Sequence, residues 1–244
     1  VVILGAGFAG LYTAQALEKQ LRPEDNVQIT LVDKENYFLY TPMLPEVVAG
    51  AVETRHILTP LRQICREGQP IRFIRGDIQE IDLDHRHVRL HRGSQLPPDT
   101  LQFDHLVITL GSTVNLTMVP GASDHALPLK QVCDALMIRN RMIEMFELAD
   151  VETDAQRRRE MLTFVVAGGG FSGVEVAGAL QSLSKEIAPF YCHIDPSEIR
   201  IIVVEGRNRI LGELPEDLAA YAQQVLEETN LEFYIGQLLK EVDE

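Results

Sequence analysis

The hydrophobic pattern of the chain changes period repeatedly, and two of those changes have the same form. Val1 to Leu4 is a short apolar run that leads into Gly5-Ala-Gly7-Phe8-Ala9-Gly10. Leu11, Ala14 and Leu17 follow at helical spacing. A run this short that is apolar throughout reads as a parallel strand buried on both faces. Much later, Leu162 to Ala167 leads in the same way into Gly168-Gly-Gly170-Phe171-Ser172-Gly173, and a helical pattern runs from Phe171 to about Ala188. Each passage therefore predicts strand, tight glycine turn and helix. Each is followed by a second apolar strand that ends in an acid: Val27 to Val32 then Asp33, and Ile199 to Val204 then Glu205. Asp33 lies 23 residues after Gly10 and Glu205 lies 32 after Gly173, so a longer loop is expected in the second passage.

Between these passages the pattern is mixed. The aromatic stretch from Lys34 to Ala51, broken by Pro42 and Pro45, reads as a structured loop before a short element. Residues 54–66 read as a helix limited by Pro60. Ile71 to Ile78 and Val88 to Leu90 alternate, which predicts a strand and then an antiparallel meander. Leu101 to Ser112 reads as one further strand-like run ending in Thr109-Leu-Gly111. A punctuated connector follows, then a helix over 135–150. Arg157, Arg158 and Arg159 read as a solvated loop or helix edge, 215–228 as a helix, 231–235 as a strand and 238–244 as the start of another.

A turn of the form G-x-G-x-x-G lets the backbone approach a diphosphate, and the following helix directs free N–H groups at it. An acid at the end of the next strand can reach ribose hydroxyls. One such fingerprint is weak; two in register imply two dinucleotide sites. The fold class expected is therefore α/β, with two βαβ domains built on parallel sheets and a small antiparallel meander. The domains expected are 1–115, a connector with its helix over 116–155, and 156–244.

Composition narrows the function. A formal charge of −14 argues against nucleic acid. No apolar run reaches the roughly 18 residues that would span a bilayer. Cys65, Cys133 and Cys192 are far apart, with no C-x-x-C pair to suggest a redox disulfide or zinc. His87 and His91, and His85 if the strand extends that far, would share a strand face, but flanking arginines point to a wet surface, and no metal is expected. The chain opens within a strand without Met, so a piece of a longer protein is expected.

Two nucleotide sites in one chain suit hydride transfer from a nicotinamide to a flavin. The residues at this point resemble the two-dinucleotide flavoprotein reductases, most closely the type II NADH:quinone oxidoreductases. The resemblance rests on Gly5 to Tyr12, Leu31-Val-Asp33, Tyr40-Thr-Pro42-Met-Leu, Asp104 to Ser112, Val119-Pro-Gly121, Ala126 to Lys130 and Gly168 to Glu175. It implies Rossmann-like domains in which Gly5, Gly7, Phe8, Ala9, Gly10, Asp33 and Lys34 hold FAD. Ile78 would contact adenine through its backbone, Thr41 and Pro42 would lie toward the flavin ring, and Thr109 and Gly111 would line the same site. Leu110 stands where the family has a small polar residue. Gly168, Gly170, Phe171, Ser172 and Gly173 would hold NADH, with Glu205 on its ribose. Glu175 is the candidate catalytic residue, in proton handling; an acid favoured by the helix dipole is the alternative.

The same resemblance implies a peripheral enzyme on the cytoplasmic face of a respiratory membrane, with NADH and quinone as partners and room for a homodimer. A returning segment with a Gly-Asp motif, which completes the flavin domain, and a carboxyl-terminal membrane-binding part belong to the family but not to this stretch. The stretch alone is thus expected to be soluble, to bind FAD poorly and to lack the quinone site. Sulfide:quinone reductases, disulfide reductases and a nucleotide-binding redox sensor remain as alternatives.

Overall fold

The computed structural model describes residues 1–66, 70–93 and 95–243. Along the chain the elements are β1 (Val2–Leu4), α1 (Phe8–Gln20), β2 (Ile29–Asp33), β3 (Tyr37–Leu39), α2 (Leu44–Ala49), β4 (Leu58–Pro60) and α3 (Leu61–Ile64). They continue with β5 (Ile71–Arg75), β6 (Asp77–Asp82), β7 (His87–His91), β8 (Asp99–Gln102), β9 (Leu106–Ile108), α4 (Ala122–His125), α5 (Val132–Val151) and α6 (Ala155–Met161). The chain ends with β10 (Thr163–Ala167), α7 (Phe171–Ile187), β11 (Arg200–Glu205), α8 (Glu216–Glu228) and β12 (Leu231–Ile235). By contacts it groups into two compact units: residues 1–40 with 55–113, and residues 41–54 with 114 onward. No helix among the described residues is long and apolar enough to cross a membrane.

In the first unit a parallel sheet has the order β5-β2-β1-β9. Strands β1 and β9 are apolar throughout and β2 is apolar but for Thr30 and Asp33, as suits a sheet covered on both faces, whereas the edge strand β5 also carries Arg72 and Arg75. Ile3, Ile29, Leu31, Ile71 and Phe73 pack with Leu11 and Ala14 of α1. Val2, Leu4, Val32 and Ile74 face the other way and pack with Val88 and Leu90 of β7. The antiparallel meander β6-β7-β8 therefore caps the face that α1 leaves open.

In the second unit β10, β11 and β12 form a parallel sheet in that order. Helix α7 buries Val176, Ala177, Leu180 and Leu183, the spacing of a single helical face. Helix α5 does the same with Ala135, Met142, Phe146 and Ala149. The Asp134 carboxylate accepts the Gln131 N–H at 2.7 Å and so starts α5. Helix α2 packs against both α5 and α7. Phe146 is fully buried, with its ring 5.4 Å from that of Tyr191 and 6.4 Å from that of Phe164.

Several local readings change. Residues 54–66 do not form one helix: Thr54–His56 is a 3-10 turn, β4 follows, and only Leu61–Ile64 is α-helical. Pro60 lacks an N–H and holds Thr59 extended, which favours a strand there. That strand needs a partner, and the aromatic stretch supplies it, because Tyr37–Leu39 pairs antiparallel with Leu58–Pro60. Pro42 and Pro45 sit in the first turns of short helices, where a missing N–H costs nothing. The run 101–112 is two strands, not one. The Phe103 N–H donates to the Arg86 carbonyl and closes the meander, while the Val2 N–H donates to the His105 carbonyl and opens the parallel pairing of β9. The helix-edge reading of Arg157, Arg158 and Arg159 holds, since they lie in α6 with Arg157 and Arg159 exposed and Arg158 paired with Glu198 at 2.8 Å. His85 lies in the turn after β6, bonded to Asp82, and does not share the strand of His87 and His91. Residues 238–243 form no strand; the Val242 N–H donates to the Pro120 carbonyl at 2.9 Å.

Replacing Phe146 by Ala should remove about 3–5 kcal/mol of stability, since the site is fully enclosed and the cavity cannot close. Urea denaturation of the wild type and variant checks this.

Candidate functional sites

Each unit carries a glycine turn between a parallel strand and the helix that follows it, and the two turns share their main bonds. Gly5 has φ +97° and Gly168 has φ +104°, a region that side-chain-bearing residues rarely enter. The Gly5 N–H donates to the Val32 carbonyl at 2.7 Å and the Gly168 N–H to the Val204 carbonyl at 2.8 Å. A Cβ on Gly10 would lie 1.8 Å from the Gly5 carbonyl oxygen, and one on Gly173 would lie 1.9 Å from that of Gly168. Helix and turn thus approach each other closely only because both residues lack a side chain. Gly7 and Gly170 are the N-caps of α1 and α7, with open space where a Cβ would stand.

The first helical hydrogen bonds run from the Leu11 N–H to the Gly7 carbonyl and from the Val174 N–H to the Gly170 carbonyl, each 3.0 Å. The N–H groups of Phe8, Ala9 and Gly10, and of Phe171, Ser172 and Gly173, therefore have no partner within their helices. They are three donors at the positive end of each helix dipole, above a surface without side chains. This is the donor set and cradle that a dinucleotide diphosphate requires. The residues present fit such a group in both units.

The acids stand where the sequence puts them. Leu4 pairs with Val32, and Ala167 with Val204, so Asp33 and Glu205 each come one residue beyond the last pair of the ladder. The longer loop of the second unit is taken up outside the ladder, in the turns Ala188–Phe190 and Pro196–Glu198. The Asp33 carboxylate accepts the Ala6 N–H at 2.5 Å and the Glu35 N–H at 2.9 Å. The Glu205 carboxylate accepts the Gly169 and Arg207 N–H groups, both at 2.7 Å. Each acid closes its own glycine turn while keeping further lone pairs free for a ligand.

The remaining first-unit candidates spread around the turn. Thr109 Oγ1 donates toward the Leu4 and Gly5 carbonyls at 2.8 and 3.0 Å, so its hydroxyl braces the turn from the β9 side. Leu110 is exposed, which explains why a large apolar residue is tolerated there. Gly111 has φ +74°. The Phe8 ring packs on Phe38 and Tyr40 at 5.0 and 5.5 Å. Lys34 is exposed, with its carbonyl bonded by Arg75, and Ile78 is the second residue of β6, opposite Leu90. Thr41 and Pro42 lie in a 3-10 turn that groups with the second unit.

In the second unit Phe171 and Ser172 are exposed at the start of α7. Glu175 is also exposed, but it is the fifth residue of α7 and lies beyond the first turn, where the pull of the helix dipole on an acid fades. The dipole reading of Glu175 therefore loses its support. Gly169 was not legible as a site residue: a Cβ there would come within 2.8 Å of Ile210 Cγ2 and 3.1 Å of Glu205 Cβ. Three adjacent glycines against the G-A-G of the first turn were the available signal. Among the described residues no group of three or more His, Cys, Asp and Glu is placed to hold a metal. Cys65 is buried, Cys133 and Cys192 are exposed, and all three are free thiols.

The full span 1–244 matches the family described as pyridine nucleotide-disulphide oxidoreductase. The chain is 32% identical to a type II NADH:quinone oxidoreductase, NdhA, of Mycobacterium tuberculosis, over 100% of this chain and 50% of that protein. It is 30% identical to a mitochondrial external alternative NAD(P)H-ubiquinone oxidoreductase, B4, of Arabidopsis thaliana, over 98% of this chain and 41% of that one. The chain thus spans about half the length of the curated relatives it matches. Among solved structures it superposes on NDH2 from Plasmodium falciparum in complex with NADH with a TM-score of 0.88, at 22% identity, covering 99% of this chain and 49% of that one. A sulfide:quinone oxidoreductase from Aquifex aeolicus gives 0.75 at 18% identity. With a family match over its whole length and both glycine turns intact, the chain belongs to the pyridine nucleotide-disulphide oxidoreductase family.

Proposed function

We propose that the protein containing this chain is an FAD-dependent NADH:quinone oxidoreductase of the type II kind. The observation that carries the reading is the pair of matched nucleotide cradles, each closed by an acid, in a chain about 30% identical to such enzymes along its whole length. When bound, the two cofactors supply the redox chemistry: a hydride passes from nicotinamide to flavin, and its electrons leave to a quinone. The protein binds, orients and excludes water.

In this reading the first unit binds FAD. The N–H groups of Phe8, Ala9 and Gly10, above the bare surface of Gly7 and with Gly5 shaping the turn, hold the diphosphate. Asp33 and Lys34 hold the adenosine ribose side, Ile78 meets adenine through its backbone, and Thr109 and Gly111 shape the wall. The second unit binds NADH through Gly168, Gly170, Phe171, Ser172 and Gly173. Glu175, exposed on α7, handles a proton near the nicotinamide. In the same reading quinone is the electron acceptor and the protein works at the cytoplasmic face of a respiratory membrane. Free, separated thiols favour this reading over sulfide or disulfide reduction.

Glu205 sets the choice of nucleotide. Its charged hydrogen bonds to ribose hydroxyls contribute about 1.5–3 kcal/mol. Against a 2′-phosphate the same carboxylate is repelled by about 4 kcal/mol per unit charge at close range in a protein-like dielectric.

Full-length, FAD-loaded protein should oxidise NADH with a soluble quinone; flavin reduction no faster than background would refute the enzyme reading. NADH should be preferred over NADPH in kcat/KM, and Glu205→Gln should narrow that preference by about tenfold or more. Equal use of the two nucleotides by the wild type would remove Glu205 from the ribose site. Gly173→Ala should abolish NADH binding while the flavin absorbance stays, and Gly10→Ala should do the reverse. Loss of both ligands in either variant would show that the two cradles are not separate sites.

A further inference from the structure

The first unit has a second built feature, away from its glycine turn. Strand β5 is the edge of its sheet, and a cavity of about 810 Å³ lies beside it. Five arginines line this cavity, Arg62, Arg66, Arg72, Arg75 and Arg92, and no carboxylate is among its described wall residues. In a chain of formal charge −14 such a concentration of cations is local, not compositional. The Arg62 guanidinium lies 5.5 Å over the Phe73 ring, Arg75 Nε donates to the Lys34 carbonyl, and Arg92 pairs with Asp99 at 2.7 Å. Arg62 and Arg72 form no ion pair with a described residue, and both are exposed.

The backbone of β5 supplies the second observation. The Ile29 N–H donates to the Pro70 carbonyl, and the Gly76 N–H donates to the Asp33 carbonyl. Along a parallel ladder, alternate residues turn their backbone groups toward the same neighbour. Residues 70, 72, 74 and 76 therefore face β2, and Ile71, Phe73 and Arg75 present their N–H and C=O groups to the cavity. Their side chains divide between the sheet faces: Ile71 and Phe73 join the α1 side of the core, while Ile74 joins the meander side. Among the described residues the cavity is thus a groove along an unpaired sheet edge, lined by Arg62 of α3 and by Arg92 and Leu96 after β7.

We propose that this groove docks an extended acidic peptide segment of a partner protein, added as a strand beside β5. Main-chain bonds to Ile71, Phe73 and Arg75 give the attachment, and carboxylates on the two faces of the added strand meet Arg62 on the α1 side and Arg72 on the meander side. A second copy of the same edge does not suit the groove, because arginine would face arginine.

The test titrates full-length, FAD-loaded protein with a fluorescein-labelled peptide of sequence Val-Glu-Glu-Val-Glu-Glu-Val, which places carboxylates on both faces of the added strand. Binding should weaken as salt rises, and amide hydrogen exchange should slow at Ile71, Phe73 and Arg75. Arg62→Gln and Arg72→Gln should each weaken binding about two- to fivefold, as for exposed charge pairs, with unchanged circular dichroism. The same peptide N-methylated at its ladder-facing amides, and a Lys-for-Glu version, should not bind. Three results would overturn the proposal: equal binding of the N-methylated peptide, displacement of the peptide by tripolyphosphate with no slowing of exchange, or no binding by any peptide. The first two mean attraction by charge alone; the third means that the arginines only guard the edge against aggregation.

Discussion

A carboxylate at the end of the second strand holds the N–H of the glycine turn that follows the first strand, and much in each unit depends on that bond. It ties together strand register, turn geometry and helix position, which are otherwise separate. If the second strand slipped by one residue, the acid would move to the other face of the sheet and the turn would lose its acceptor. The bond spans 27 residues in the first unit and 36 in the second, yet its geometry is nearly unchanged. A charged hydrogen bond of this kind is worth about 1.5–3 kcal/mol, enough to select one turn conformation over its neighbours.

In the proposed reading the same acids recognise ribose, so each would serve folding and binding at once. This has a cost for any attempt to change nucleotide choice at Glu205. Removing the carboxylate relieves repulsion of a phosphate, but it also leaves the Gly169 and Arg207 N–H groups without their acceptor. The first turn is more forgiving, because Ala6 occupies the place where the second unit requires Gly169.

What was legible in the sequence had a period and a neighbour-independent cause. Both strand–turn–helix passages, both acids, and helices α5, α7 and α8 could be read because apolar spacing and glycine placement report on local geometry. Strand β3 was missed because Tyr37, Phe38 and Leu39 carry no alternation, and it exists only through pairing with residues about twenty positions later. The helix expected over 54–66 failed for the same reason from the other side. Gly169 was overlooked because its requirement comes from Ile210, a contact that the motif does not contain. The grouping of 41–54 with the second unit was equally hidden, since nothing in those residues names α5 and α7 as their partners.

That segment also bears on how the chain is made. Leu44, Val47 and Val48 of α2 are buried, and their neighbours α5 and α7 end at Val151 and Ile187. During synthesis at roughly 5–20 residues per second, α2 leaves the ribosome about seven to thirty seconds before α7 is complete. Until α5 has been made a short apolar helix, too small to be stable alone, has nowhere to dock, and until α7 follows its site is incomplete. The second unit therefore cannot finish folding as its own residues emerge; it must retrieve a piece released long before, which makes α2 the point at which a holding chaperone has most to protect.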